Sequence, residues 1–163
     1  MANLKLMRAE GIVDRVKCDT GPYFQRRLRE ALGDHAIVGE ISGAGLVGGI
    51  QLAEDPSARK RFAHANDVST RCRDFCFDDG LVMRASHDRM LLSPPLIVTH
   101  AEIHEIVEKA RVAIDKTARL EDRLTRLACE MLRRHVPERR DGGVVLIRRP
   151  CSFPPAPTAR RWS

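Results

Sequence analysis

Apolar residues recur at helical spacing through the first 32 positions. Leu4, Met7, Ile12 and Cys18 fall on one side, and Tyr23, Phe24, Leu28 and Leu32 carry the pattern on. Gly21-Pro22 interrupts it, which predicts a kink or two helices, and Gly33 is a stop signal. Two β-branched stretches follow, 36–42 and 46–52, separated by Gly43-Ala44-Gly45, which predicts a hairpin or a sharply bent strand. Asp55-Pro56-Ser57 reads as a helix start, with a capping acid followed by proline in the first turn. Phe62, Val68, Cys72, Phe75 and Cys76 would give that helix its buried face, and Gly80 would close it. Leu81–Ala85 and Arg89–Leu92 read as short strands around the polar turn Ser86-His87-Asp88, and Ser93-Pro94-Pro95 ends the second. Thr99 with Glu102 three residues on forms a capping box, and Ile103, Ile106, Val107, Ala110, Val112 and Ile114 supply the buried side of the last helix.

The order helix, two strands, helix, two strands, helix predicts an α+β fold: a small open, mainly antiparallel sheet with helices packed on one face. A domain at 1–120 is expected, followed by a tail at 121–163. Leu124, Leu127, Met131 and Leu132 allow the helix to continue to about 135. From Pro137 onward come paired arginines and five of the nine prolines, a composition that predicts disorder.

The net charge is informative only once it is located along the chain. The net charge of +6 lies mostly in residues 121–163, which hold ten arginines against five acids. The body is close to neutral, so it offers no basic stripe, and nucleic acid is not expected as its partner. The longest apolar runs are broken by prolines and fall far short of the roughly 20 residues that span a bilayer. No secretory signal is read at the N-terminus, so a cytoplasmic protein with no membrane partner is expected. The five cysteines form no C-x-x-C pair. Cys72 and Cys76 would share one helix face as buried reduced thiols, and no metal site is expected.

Four motifs then fall in a recognisable order: Asn3-Leu4-Lys5-Leu6-Met7; Gly43-Ala44-Gly45-Leu46-Val47 with Gly49-Ile50-Gln51-Leu52 behind it; Gly80-Leu81-Val82-Met83-Arg84; and Arg89-Met90-Leu91-Leu92-Ser93-Pro94-Pro95-Leu96 running into Ile97-Val98-Thr99. Together they cover about residues 2–119 and resemble the C-terminal small domain of the class III (omega-type) aminotransferases, fold-type-I pyridoxal-phosphate enzymes. The family usually carries an arginine before the Gly-x-Gly turn, where this chain has Ser42. Gly43-Ala44-Gly45 lacks the further glycine and following helix of a dinucleotide fingerprint and reads as a backbone turn.

The resemblance implies a role for Arg84. At that place the family has a mobile arginine that receives the substrate carboxylate, for which a planar, permanently charged guanidinium is suited. Read without the family, Arg84 is a surface arginine at a strand end. Arg89, across the turn, reads as a solvated hairpin charge. No catalytic or cofactor-binding residue is assigned. Transamination needs a lysine for the cofactor's Schiff base, an acid at the pyridine nitrogen and a phosphate cradle, and the family carries all of these ahead of the matching segment. Lys5, Lys17, Lys60, Lys109 and Lys116 all fall among polar neighbours on expected helices. Pyridoxal 5'-phosphate therefore belongs to the intact family, and this chain alone is not expected to bind it. The tail resembles an out-of-frame reading of a GC-rich gene.

Three readings follow. The first is a fragment of a class III aminotransferase, inactive alone. The second is a non-catalytic module that forms a homodimer or pairs with an intact aminotransferase subunit. The third is a nucleic-acid binder working through the basic tail.

Overall fold

A computed structural model describes residues 2–135. The expected disorder beyond Pro137 lies outside the described residues. The chain divides into two units, with the boundary between Ala118 and Arg119. In the first, the N-terminal helical stretch comprises α1 (Ala2–Ala9), α2 (Ile12–Arg15), a π-helical turn (Val16–Thr20) and α3 (Gly21–Leu32). The break falls at Gly11, which adopts φ 58°, and not at Gly21-Pro22 as the sequence pattern suggests. Pro22 lies in the first turn of α3, where its missing N–H costs little. The irregularity is absorbed by the π turn just before it, a common place for a helix to bend. Glycine at 21 has a packing reason, because a Cβ there would come 2.4 Å from the Val16 carbonyl and 3.0 Å from the Gly45 Cα. Gly33 ends α3 as expected.

Strands β1 (Val38–Ala44) and β2 (Val47–Leu52) form the expected hairpin through Gly45-Leu46, with Ala44 opposite Val47. Gln25 of α3 anchors its turn: the amide Nε2 donates to the carbonyls of Gly45 and Val47, each at 3.0 Å. This is how the turn is held in a chain that has Ser42 before it.

No helix starts at Asp55. The Asp55 carboxylate instead accepts from the Ser57 and Ala58 amides and the Ser57 hydroxyl, folding 55–60 into a turn whose ends pair as an isolated bridge, Asp55 to Lys60. An aspartate can cap a turn by the same hydrogen bonds with which it caps a helix, so the two are alike in sequence. Helix α4 (Ala65–Asp78) begins ten residues later. Strands β3 (Arg84–Ser86) and β4 (Arg89–Leu92) follow, with Leu81–Met83 lying outside β3. Helix α5 (His100–His135) opens with the expected capping box: the Thr99 amide donates to Glu102 at 2.8 Å, and the Glu102 amide donates to the Thr99 hydroxyl at 3.3 Å.

The sheet order is β1-β2-β4-β3, all antiparallel. On its helical side Ile50, Leu52, Met90 and Leu92 are buried in a core with Phe24, Leu28 and Leu32 of α3, Val68, Cys72 and Cys76 of α4, and Ile103, Val107, Ala110, Ala113 and Ile114 of α5. This is the α+β arrangement of sheet and helices that the pattern predicts. Val112, expected inside, is exposed instead, because Ala110, Ala113 and Ile114 already occupy the inward positions of that turn. Of the second unit, residues 119–135 are described and are helical, with none of their described side chains buried.

Candidate functional site

The other face of the sheet carries the candidate chemistry. In an antiparallel ladder directly opposed residues share a face. The register Arg84–Leu91, Leu91–Gly49 and Gly49–Ser42 makes one row, and Ser86–Arg89, Arg89–Gln51 and Gln51–Glu40 the next. Gly49 leaves this face open at its centre. A Cβ there would meet Ser42 Oγ at 3.3 Å, Arg89 Cδ at 3.5 Å and Leu91 Cδ2 at 3.6 Å.

Arg84 is the first residue of the edge strand β3; it is exposed and makes no ion pair among the described residues. Arg89 shares its face but is engaged, donating through Nε to the Gln51 side-chain oxygen at 3.2 Å. The two arginines on this face thus differ: Arg84 makes no ion pair among the described residues, and Arg89 is tied to Gln51.

The hairpin that presents Arg84 is braced through its turn. Asp88 is only 2% exposed, and Arg61 grips it with Nη2 at 2.9 Å from Oδ1 and Nε on Oδ2. The Asp88 carbonyl accepts from the Leu52 amide at 2.7 Å and from Gln51 Nε2 at 3.4 Å, while the Ser69 hydroxyl donates to the carbonyl of His87. His87 itself adopts φ 56°, which closes the tight turn. None of Arg61, Gln51, Ser69 or Asp88 carries a sequence signal for this role, since Arg61 and Asp88 lie 27 positions apart.

The Arg61 guanidinium, through its hydrogen bonds first, holds the Asp88 carboxyl below the usual carboxylate range, against the opposing effect of burial. A carboxyl depressed on folding contributes stability above its unfolded value near 4 and loses it as pH falls toward the folded value. Asp88→Asn is therefore expected to lower the urea midpoint at pH 7 and to flatten its fall between pH 5 and 3. Urea titrations of both proteins across that range check this, and parallel slopes would refute it.

The five lysines form no cofactor pocket. Lys60 pairs with Glu54, Lys109 with Glu105 at 2.6 Å and Lys116 with Asp79 at 2.7 Å, while Lys5 and Lys17 are exposed on helices. All five are ion-paired or exposed, so none of the described lysines stands in a pocket that would hold pyridoxal 5'-phosphate. Among the described residues no three His, Cys, Asp or Glu side chains converge on a metal position, and no helix is long and apolar enough to cross a membrane.

A groove of about 410 Å³ lies near the start of the hairpin, lined by Leu81, Pro95, Ile97, Val98, Ile106 and Lys109 among others. Next to it in sequence Val82 is 77% exposed, and Ile97 of the groove is 65% exposed.

No family model matches the chain. Among curated proteins it is 41% identical over 118 residues to the putrescine–pyruvate aminotransferase of Pseudomonas aeruginosa, covering 72% of this chain and 25% of that one. It is 33% identical over 128 residues to the diaminobutyrate–2-oxoglutarate transaminase of Halomonas elongata, covering 77% and 26%. Among solved structures a transaminase from a study of directed evolution by ancestral reconstruction superposes with TM-score 0.69 at 39% identity, covering 72% of this chain and 26% of that one. The omega transaminase of Pseudomonas jessenii in complex with PMP superposes with TM-score 0.68 at 29% identity, covering 72% and 26%. The chain spans about a quarter of the length of the curated relatives it matches.

Proposed function

Because the chain belongs, over about 72% of its length, to the class III aminotransferases, we propose that it supplies the part of such an enzyme that receives the substrate carboxylate, with Arg84 as the receiving group. The carrying observation is the exposed Arg84 at the edge of an otherwise tied sheet face, on a hairpin whose turn is held by Arg61, Gln51, Leu52 and Ser69. A guanidinium on such a mount can present its fork to both carboxylate oxygens, and Arg84 makes no ion pair among the described residues.

Pyridoxal 5'-phosphate, where the family binds it, acts as the electron sink for amino transfer. This chain's part is then recognition and orientation, and the chain alone does not transfer amino groups. Paired or solvent-exposed lysines support that division of labour. The exposed Val82 and Ile97 and the apolar groove beside them favour a partner in the form of a homodimer or another aminotransferase subunit, since exposed apolar clusters mark contact surfaces.

The test is a hybrid in which residues 2–119 replace the matching segment of the Pseudomonas aeruginosa putrescine–pyruvate aminotransferase. Transamination by the folded hybrid, with none by this chain given pyridoxal 5'-phosphate, is the expected result. A folded hybrid that holds its cofactor but turns over no substrate would overturn the assignment.

A further inference from the structure

Three sulfur atoms meet in the core, away from the open sheet face. Cys72 and Cys76 are one turn apart on α4, and both side chains are fully buried. The four-residue spacing puts both on one face of the helix, and the Cys76 thiol donates to Met83 Sδ at 3.4 Å. Met83 is also buried, and it comes from the segment Leu81–Met83 just before β3. The Thr117 hydroxyl of α5 lies near Cys72, and the Lys116–Asp79 ion pair lies near Cys76.

Cysteine and methionine in a core ordinarily act as small or adaptable apolar groups, and the pair on α4 alone would carry nothing further. The third sulfur changes this. The geometry points to a buried site for one soft monovalent cation, copper(I) or silver(I), held by Cys72 Sγ, Cys76 Sγ and Met83 Sδ. Thiolate and thioether donors select such ions over the harder divalent cations. Divalent ions would need further oxygen or imidazole ligands, and none converge here among the described residues.

The size fits as well. A metal–sulfur bond of about 2.3 Å, as in zinc thiolates, sets the sulfurs of a trigonal site about 4 Å apart. The 3.4 Å contact needs to open by only about half an ångström on that scale. Entry releases the two thiol protons and transfers no electron, because the metal arrives and remains monovalent. The loaded site carries one net negative charge, with the Lys116–Asp79 ion pair near Cys76. The site is independent of Arg84 and of any aminotransferase activity.

The test uses the full chain with Cys18, Cys129 and Cys151 changed to serine, titrated with silver(I). Native mass spectrometry gives the stoichiometry, and thiolate-to-metal ultraviolet absorption gives the affinity. One silver ion per folded chain is expected. Cys72→Ala and Cys76→Ala should each abolish tight binding, and Met83→Leu, which conserves volume, should weaken it at least about tenfold with the urea midpoint nearly unchanged. Zinc(II) in a parallel titration should not bind. No silver on the folded chain, equal affinity in Met83→Leu, or binding that appears only in urea would each overturn the site.

Discussion

Arg84→Leu in the hybrid aminotransferase is expected to lower kcat/KM for the keto acid about 10²–10⁴-fold. Two charge-assisted hydrogen bonds from one guanidinium contribute about 1.5–3 kcal/mol each, and about 1.4 kcal/mol is a factor of ten. The loss should fall on the carboxylate-bearing substrate, with kcat/KM for an uncharged amine changed much less, because the amine makes no use of the fork. Arg84→Lys should recover only part of the loss, since an ammonium supplies the charge but not the paired planar geometry. Asp88→Asn in the same hybrid acts one step removed. It loosens the turn and should raise KM for the keto acid more than it lowers kcat. Equal loss for both substrates in Arg84→Leu would mean that the residue holds structure and does not receive the carboxylate.

The elements most legible in the sequence are those set by local chemistry. The hairpin of β1 and β2, strand β4, the stop at Gly33 and the capping box of Thr99 and Glu102 all rest on residues within a few positions of one another. What sequence pattern misplaces first are positions where the same residues allow two local geometries. Asp55 caps a turn because the chain bends back at Arg59, which adopts φ 53°, and pairs through Lys60. Gly21-Pro22 sits inside helix because the π turn before it takes up the irregularity. The candidate site divides in the same way. Arg84 is found through the family motif around it, and α/β patterning alone leaves it an ordinary strand-end arginine. Its bracing by Arg61, Gln51 and Ser69 depends on contacts 18 to 37 positions apart, for which one sequence carries no period or motif. The third sulfur at Met83 is hidden for the same reason, whereas the spacing of Cys72 and Cys76 is plain.

Phe24→Ala is expected to cost about 3–5 kcal/mol, the upper range for a buried aromatic. Phe24 is fully buried, and its ring lies over Gly48 of β2, where a Cβ would come 3.2 Å from Cε1 and 2.8 Å from Leu28 Cδ1. A glycine has no side chain with which to fill the space the ring leaves, so the cavity collapses little. A domain with a total stability of about 5–15 kcal/mol loses a large share of it. Gly48→Ala, in contrast, crowds an intact core and should cost about 1–3 kcal/mol, since Gly48 is not among the left-handed glycines and alanine is allowed by its backbone. The two changes face each other, so their effects should not add. With the ring gone, the added methyl partly fills the hole, and the double variant is expected to be more stable than the sum predicts by about 0.5–3 kcal/mol. Urea unfolding of the wild type, both single variants and the double variant measures that coupling. Strict additivity would show that α3 does not pack on β2 through this pair, and with it would go the reason that position 48 is glycine.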